Sequence, residues 1–177
     1  TLAFELLTPS DSDIPAQVQA GLCGLLARGA GHAGMAGGQA IDLASVGVQL
    51  NIDQLRIMHR CKTGALLETS VVMGAVAAQA NAQATQALLS YGQALGVAFQ
   101  VVDDILDVTA DSATLGKTAG KDQANDKPTF VSLLGLAGAQ AQAQALLQEA
   151  LAALDAAKLK DDGALRALAH MVVQRDR

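Results

Sequence analysis

Apolar positions along this chain recur at intervals of three and four residues, the spacing that places them on one face of an α-helix. The pattern is most sustained over residues 54–78 and 83–107, where it predicts two helices of about 25 residues, each roughly 37 Å long. Asp53 is a candidate N-cap for the first of them. Pro128 can open a further helix, and two more are predicted over 137–157 and 162–174. No pair of segments alternates as paired strands would, so an all-α fold is predicted.

Three stretches depart from this regular pattern. Residues 1–7 begin inside an apolar helical pattern, so we expect the N-terminal part of a longer chain to be missing. Residues 13–45 contain many glycines, which lower helix propensity, and we expect a buried, kinked helical element there. Residues 109–127 have no strong period, and a loop of that length is usually functional or disordered.

Composition narrows the class of protein. Apolar residues make up 51% of the chain and aromatic residues only 2%, so small aliphatic side chains must build the core. The net charge of −5 and the lack of a basic run argue against binding of nucleic acid. Cys23 and Cys61 form no C-x-x-C pair and fit a reducing cytoplasm. No uninterrupted apolar run of about 18 residues occurs, so no membrane span is expected.

The strongest candidate for chemistry is the acidic stretch F-Q-V-V-D-D-I-L-D over residues 99–107. Asp103 and Asp107 are four residues apart and share one face of a helix, whereas Asp104 lies about 100° round the axis. Mg²⁺ binds one or two carboxylates and keeps its other positions for water and phosphate. The pattern therefore suits a metal that bridges the protein to a diphosphate, although a solvated acidic helix end would look the same.

Lysines and a hydroxyl could bind the anion that such a metal holds. Lys117, Lys121 and Lys127 follow the acidic stretch, and a solvated surface lysine is the favoured interpretation for Lys121. Lys62 and Thr63 lie in the middle of the helix predicted over 54–78. The alternative for Lys62 is a lysine that reaches solvent from a helix surface.

A third polar pair lies in the glycine-rich region. Gln39 and Asp42 are three residues apart, on one helical face. They are either part of the same site or a buried polar pair that orients neighbouring helices, and the sequence leaves both open.

Four segments occur in order along the chain: G-M-A-G-G-Q-A-I-D-L, K-T-G-A-L-L, Y-G-Q-A-L-G-V-A-F-Q-V-V-D-D-I-L-D and L-G-K-T-A-G-K-D. In this order and spacing they resemble the trans-prenyl diphosphate synthases, most of all the bacterial farnesyl type, over essentially the whole chain. The resemblance implies the isoprenoid synthase fold, a bundle of long helices around a central cavity, usually as a homodimer. It also implies three Mg²⁺ ions held between two Asp-rich motifs, with Asp103, Asp104 and Asp107 as the metal residues of the second motif.

The resemblance also implies which residues contact the substrates. The allylic diphosphate would be contacted by three lysines: Lys62, Lys117 and Lys127. Thr63 and Gln100 would place their oxygens toward the developing allylic cation. Phe99 would line the site for the second substrate, isopentenyl diphosphate.

The function implied is a cytoplasmic, magnesium-dependent condensation of an allylic diphosphate with isopentenyl diphosphate to a C10–C20 product, with C15 farnesyl diphosphate expected. The first Asp-rich motif should lie upstream of Thr1. We therefore expect residues 1–177 to be the C-terminal portion of a single helical domain and to be inactive alone. A class I terpene cyclase, or a non-catalytic helical subunit of a synthase, remains the alternative. The product length is not encoded in these residues.

Overall fold

The computed structural model describes residues 1–11, 13–109 and 128–175. Within these ranges the chain is mostly helical and has no β-strand, which confirms the predicted all-α class. The elements in chain order are α1 (Leu2–Leu7), α2 (Ala16–Ala30), α3 (Met35–Ala44), α4 (Ile52–His59), a π-helical turn (Arg60–Gly64), α5 (Ala65–Ala77), α6 (Ala82–Thr109), α7 (Phe130–Ala157) and α8 (Gly163–Gln174).

The glycine-rich region forms two helices with few buried residues rather than one buried, kinked element. Helix α2 ends at Ala30 and α3 begins at Met35. Between them the backbone folds so tightly that a Cβ on Gly34 would lie 2.1 Å from the carbonyl oxygen of Gly29. Only a residue without a side chain fits there, which explains the break between the two helices.

The helix predicted over 54–78 is present, but its start and its middle differ from the prediction. The prediction of Asp53 as the N-cap is wrong, because Asn51 occupies that position and forms a capping box with Gln54. The Asn51 side chain accepts from the Gln54 backbone N–H at 2.9 Å, and the Gln54 side chain accepts from the Asn51 N–H at 3.0 Å. In the middle, the π-helical turn joins α4 to α5, and no feature of the sequence predicted it.

The two longest helices form the centre of the molecule. Helix α6 extends the predicted 83–107 segment by a residue or two at each end. Helix α7 unites the helix expected to open at Pro128 with the one predicted over 137–157. It begins at Phe130, because Thr129 caps it through a capping box with Ser132. Gly135, at φ 72°, interrupts its helical path near the start.

The core lies between α6, α7 and the α4–α5 segment. It is built largely from Ala, Leu and Val, as the composition predicted. The largest fully buried side chains are Tyr91, Phe130, Leu55, Met58, Leu154 and Val101. Glycine also allows close helix approach in this region: a Cβ on Gly96 of α6 would lie 2.6 Å from the Cα of Gly64.

Helix α7 is the one described helix that is long and apolar enough to cross a membrane by length and composition alone. One face of it, including Ala139, Leu146 and Leu154, is buried in the core. Core helices of soluble proteins pass the same test of length and hydropathy, so this helix is weak support for a membrane span.

Tyr91 is expected to make the stability of the folded protein depend on pH. Its ring is fully buried, and its hydroxyl donates to the carbonyl oxygen of Leu165 at 2.8 Å. Burial raises the pKa of Tyr91 to about 12. Above pH 10 the unfolded tyrosine loses its proton while the folded one keeps it, so rising pH favours the unfolded state. We expect this residue to lower the free energy of unfolding by roughly 1.4 kcal/mol per pH unit between about pH 10 and pH 12.

Urea denaturation of wild type and Tyr91→Phe at pH 8 and pH 11, followed by circular dichroism, measures this contribution. At pH 8 the variant should be less stable by about 1 kcal/mol, because it lacks the hydrogen bond. At pH 11 the difference should shrink or reverse. An equal difference at both pH values would show that Tyr91 ionises as readily in the folded protein as in the unfolded one.

Candidate functional site

The π-helical turn carries Lys62 and Thr63 and presents them beside α3. Isolated π-turns inside helices occur frequently at functional sites, because the extra residue redirects the neighbouring side chains. The turn lies in backbone contact with α3: a Cβ on Gly38 would lie 2.1 Å from the backbone nitrogen of Lys62. The bare backbone of Gly38 therefore allows α3 to approach Lys62 this closely.

Asp42, one turn further along α3, holds the Lys62 side chain. Lys62 Nζ lies 2.8 Å from Asp42 Oδ2 in an ion pair in which the carboxylate is buried and the ammonium is about a third exposed. A buried carboxylate is costly without a cation, so the pair satisfies Asp42 and fixes the position of the ammonium. The sequence left open whether Asp42 belongs to the site or forms a buried polar pair that orients helices. In the structure Asp42 contacts Lys62, a candidate site residue.

A chain of hydrogen bonds connects Thr63 with the acidic stretch on α6. Thr63 Oγ1 donates to Gln100 Oε1 at 3.4 Å, and Gln100 Nε2 donates to Asp104 Oδ1 at 3.0 Å. The other oxygen of Asp104 accepts from the backbone N–H of Phe130 at 2.7 Å. The chain thus passes from the π-helical turn through α6 to the first residue of α7. The Phe130 ring in turn stacks on His59, with ring centroids 5.8 Å apart.

The three aspartates of α6 have different environments. Asp104 and Asp107 are buried, at 2% and 5% exposed, whereas the Asp103 side chain is 41% exposed. Asp103 Oδ1 lies 3.4 Å from Arg175 Nη2. The same Nη2 donates to the carbonyl oxygen of Phe99 at 2.9 Å, and the guanidinium lies 4.0 Å from the centre of the Phe99 ring. Burial lowers the pKa of Arg175, and the Asp103 carboxylate opposes that shift.

The residues present fit a magnesium ion at Asp103. Its carboxylate is a hard oxygen ligand and its side chain is 41% exposed, and Mg²⁺ would compete there with the Arg175 guanidinium, 3.4 Å from Asp103 Oδ1. Among the described residues no cluster of three or more candidate metal ligands is formed. Mg²⁺ does not need one, because water and phosphate complete its coordination when one or two carboxylates bind it.

The structure brings together some of the residues singled out in the sequence. Thr63, Gln100 and Asp104 form one chain, and Phe99 and Asp103 share Arg175 as a neighbour. Lys117, Lys121 and Lys127 lie outside the described residues. Sequence reasoning missed Arg175, which is 72 residues from Asp103 and follows the last helix with no local signal of its own.

Comparison with known proteins identifies a family that matches most of the chain. The model of the family described as polyprenyl synthetase matches residues 7–168. Farnesyl diphosphate synthases of Haemophilus influenzae and Escherichia coli are 42% and 43% identical to the chain. Those alignments cover 99% and 100% of the chain but only 59% and 60% of the relatives, so the chain spans about three-fifths of their length.

A solved structure agrees with these sequence relatives. It is the geranyltransferase from Helicobacter pylori complexed with magnesium and isoprenyl diphosphate, which superposes with a TM-score of 0.78 at 36% identity. The match covers 97% of this chain and 54% of that one.

Proposed function

This chain belongs to the polyprenyl synthetase family, and from that premise we propose that the protein is a magnesium-dependent prenyltransferase. It condenses an allylic diphosphate with isopentenyl diphosphate to a short-chain prenyl diphosphate. The named activities of the Haemophilus and Escherichia relatives favour the C15 farnesyl product within the C10–C20 range. The observation that carries the proposal is the match to the polyprenyl synthetase family over residues 7–168, and the hydrogen-bond chain that joins Thr63 to the acidic stretch of α6 supports it.

The chemistry follows from charge. An allylic C–O bond ionises only when the departing diphosphate is strongly stabilised, and preorganised cations in a dry site do this best. Mg²⁺ bound at Asp103, one of three ions in the complete enzyme, would supply positive charge to that leaving group. Lys62, fixed by Asp42, donates hydrogen bonds to the phosphate oxygens, and Lys117 and Lys127 assist it. The resemblance also implies Asp107 as a metal residue, one turn from Asp103 on the same face of α6, where its side chain is buried.

Two neutral oxygens are placed to stabilise the allylic cation. Thr63 offers a hydroxyl oxygen, and Gln100 offers a carbonyl oxygen whose second lone pair is not used by Thr63. Neither oxygen is a strong nucleophile, so the cation is stabilised without being captured. Phe99 presents an apolar ring to the isopentenyl group, and its position is held by the Arg175 guanidinium. The double bond of isopentenyl diphosphate then attacks the cation, and a proton passes to the released diphosphate.

A homodimer and a cytoplasmic location belong to the same proposal. Helix α1 has no buried residue, and Leu2, Phe4 and Leu6 expose apolar side chains on it. Exposed apolar groups clustered on one element favour a contact with another surface, which is either a partner subunit or the N-terminal part expected upstream of Thr1. Both cysteines are free, as in a reducing compartment. Light scattering on the complete protein measures the dimer directly, and a monomeric mass at micromolar concentration would contradict it.

The defining experiment supplies the complete protein with Mg²⁺, isopentenyl diphosphate and either dimethylallyl or geranyl diphosphate, and identifies products by mass spectrometry. Farnesyl diphosphate that disappears when a chelator is added is the expected result. A hydrocarbon formed from geranyl diphosphate alone would instead indicate a terpene cyclase. Absence of any product from the folded protein would favour the non-catalytic subunit.

Lys62→Ala should lower kcat/KM for the allylic diphosphate by about 10²-fold, because it removes a preorganised charge from the leaving group. Steady-state kinetics at saturating isopentenyl diphosphate measures the loss. Lys160→Ala is the matched control, since Lys160 is an exposed lysine in the connection between α7 and α8. Equal kinetics for both variants would show that Lys62 does not contact the substrate.

A further inference from the structure

Asp104 is the most buried polar side chain in the acidic stretch. It is 2% exposed, and each of its oxygens accepts a hydrogen bond from the protein: Oδ1 from Gln100 Nε2 at 3.0 Å and Oδ2 from the Phe130 N–H at 2.7 Å. Its neighbour Asp103 points its side chain to a partly open surface instead. The two adjacent aspartates therefore have different surroundings and are suited to different tasks.

The surroundings of Asp104 supply a hydrogen-bond donor to each of its oxygens. Phe130 is the first residue of α7, so its N–H is one of the donors that a helix leaves without a partner inside itself. Both oxygens of the Asp104 carboxylate therefore already have a donor within the protein.

The contact with Asp104 determines the orientation of the Gln100 side-chain amide. Both Asp104 oxygens act as acceptors in the structure, so Gln100 turns its NH₂ group, and not its carbonyl oxygen, toward Asp104. Its carbonyl oxygen is then forced toward Thr63, where it accepts the hydroxyl at 3.4 Å. If the amide flipped, an N–H donor would face the region in which a cation is proposed to form, and that arrangement is repulsive.

We propose that Asp104 is a positioning residue: it fixes the Gln100 amide so that the carbonyl oxygen, and not the NH₂ group, faces Thr63 and the substrate. Asp104 acts through Gln100 and does not ligate magnesium, unlike Asp103. The proposal rests on the proposed function, because it assigns a role within the same site. It also ties the orientation of Gln100 to the start of α7 through the Phe130 N–H.

The test compares Asp104→Asn with Asp103→Asn in the complete protein. The asparagine side chain introduced by Asp104→Asn can offer an NH₂ group to Gln100, which permits the amide to flip. We expect kcat to fall about 10²-fold, the size of loss that a small misplacement at a reacting centre produces. The Mg²⁺ concentration for half-maximal activity, and Mg²⁺ binding measured by calorimetry with inorganic diphosphate, should stay within about twofold of wild type. Asp103→Asn should weaken both magnesium readouts.

A double-mutant cycle separates action through Gln100 from any independent effect. In a Gln100→Ala background, the further change Asp104→Asn should lower kcat by less than about threefold, because the amide that it orients is gone. A full additional loss of about 10²-fold in that background would overturn the proposal. So would a Mg²⁺ requirement that rises as much in Asp104→Asn as in Asp103→Asn.

A structure of the unmutated complete protein with Mg²⁺ and a diphosphate decides the question even where Asp104→Asn does not fold. The expected result is a metal ion about 2.1 Å from an Asp103 oxygen, with both Asp104 oxygens still bonded to Gln100 and Phe130. A metal ion at that distance from Asp104 would overturn the inference and leave the proposed function standing. A wild-type protein that forms no prenyl product would instead contradict the proposed function itself.

Discussion

Asp103→Asn in the complete protein is expected to lower kcat by about 10³-fold and to raise the Mg²⁺ requirement. The substitution preserves shape but removes the charge of the one described aspartate of α6 whose side chain is substantially exposed. A single preorganised electrostatic contact in such a site is worth about 10²–10³ in rate, and the loss of a metal ligand lies at the upper end of that range. Steady-state kinetics over a series of Mg²⁺ concentrations measures both effects.

The matched control for Asp103→Asn is Asp53→Asn. Asp53 is an exposed carboxylate in the first turn of α4, where it contributes only the modest interaction of an acidic residue with a helix N-terminus. The control should retain wild-type kcat and Mg²⁺ dependence. If Asp103→Asn also behaved like wild type, the acidic stretch would be a solvated helix end, the alternative that the sequence left open.

The long helices could be predicted from spacing because most of their signal is local. Over 83–107 the apolar positions follow the helical period closely, and α6 covers this range with small extensions. Helix α7 was predicted in two pieces, and the non-helical backbone of Gly135 does divide it near its start. Thr129 with Ser132 was a capping signal available in the sequence, although its N3 serine is not the usual Glu or Gln.

The π-helical turn could not be predicted because it depends on contacts between distant segments. R-C-K-T-G is compatible with an ordinary helix, and it adopts the wider turn where α3 approaches the backbone of Lys62. That approach requires Gly38, which is 24 residues earlier. A feature that arises from contact between two elements produces no periodic pattern in the sequence of either element.

The different surroundings of Asp103 and Asp104 could be predicted only in part. Their offset of about 100° round a helix already places them on different faces. Which face is buried depends on where α7 begins, since the Phe130 N–H is the partner of Asp104. Likewise, Arg175 reaches Asp103 and Phe99 only because α8 returns along the core to this end of α6. The sequence identifies the candidate side chains, but the packing of the helices determines which residues each of them contacts.

Gly38→Ala is expected to lower the free energy of unfolding of the complete protein by about 3 kcal/mol, the upper part of the range for overpacked sites. The new Cβ would lie 2.1 Å from the Lys62 backbone nitrogen and 2.5 Å from its Cα. Both are backbone atoms, so no side-chain rotation relieves the clash, and α3 must move away from the π-helical turn. Since Asp42 lies on α3, the same movement should loosen the Asp42–Lys62 ion pair and reduce kcat/KM for the allylic diphosphate.

Gly74→Ala is the matched control, because Gly74 is an exposed residue of α5 and a Cβ there would meet nothing within 4 Å. Alanine stabilises a helix interior by about 1 kcal/mol relative to glycine, so this variant should be more stable than wild type and equally active. Urea denaturation followed by far-UV circular dichroism compares the three proteins. Replacing glycine by alanine raises helix propensity equally at both positions. If Gly38→Ala lowers the free energy of unfolding while Gly74→Ala raises it, the difference measures the steric clash at Gly38. If Gly38→Ala were stabilised as Gly74→Ala is, α3 would not rest on the backbone of the π-helical turn, and Lys62 would owe its position to Asp42 alone.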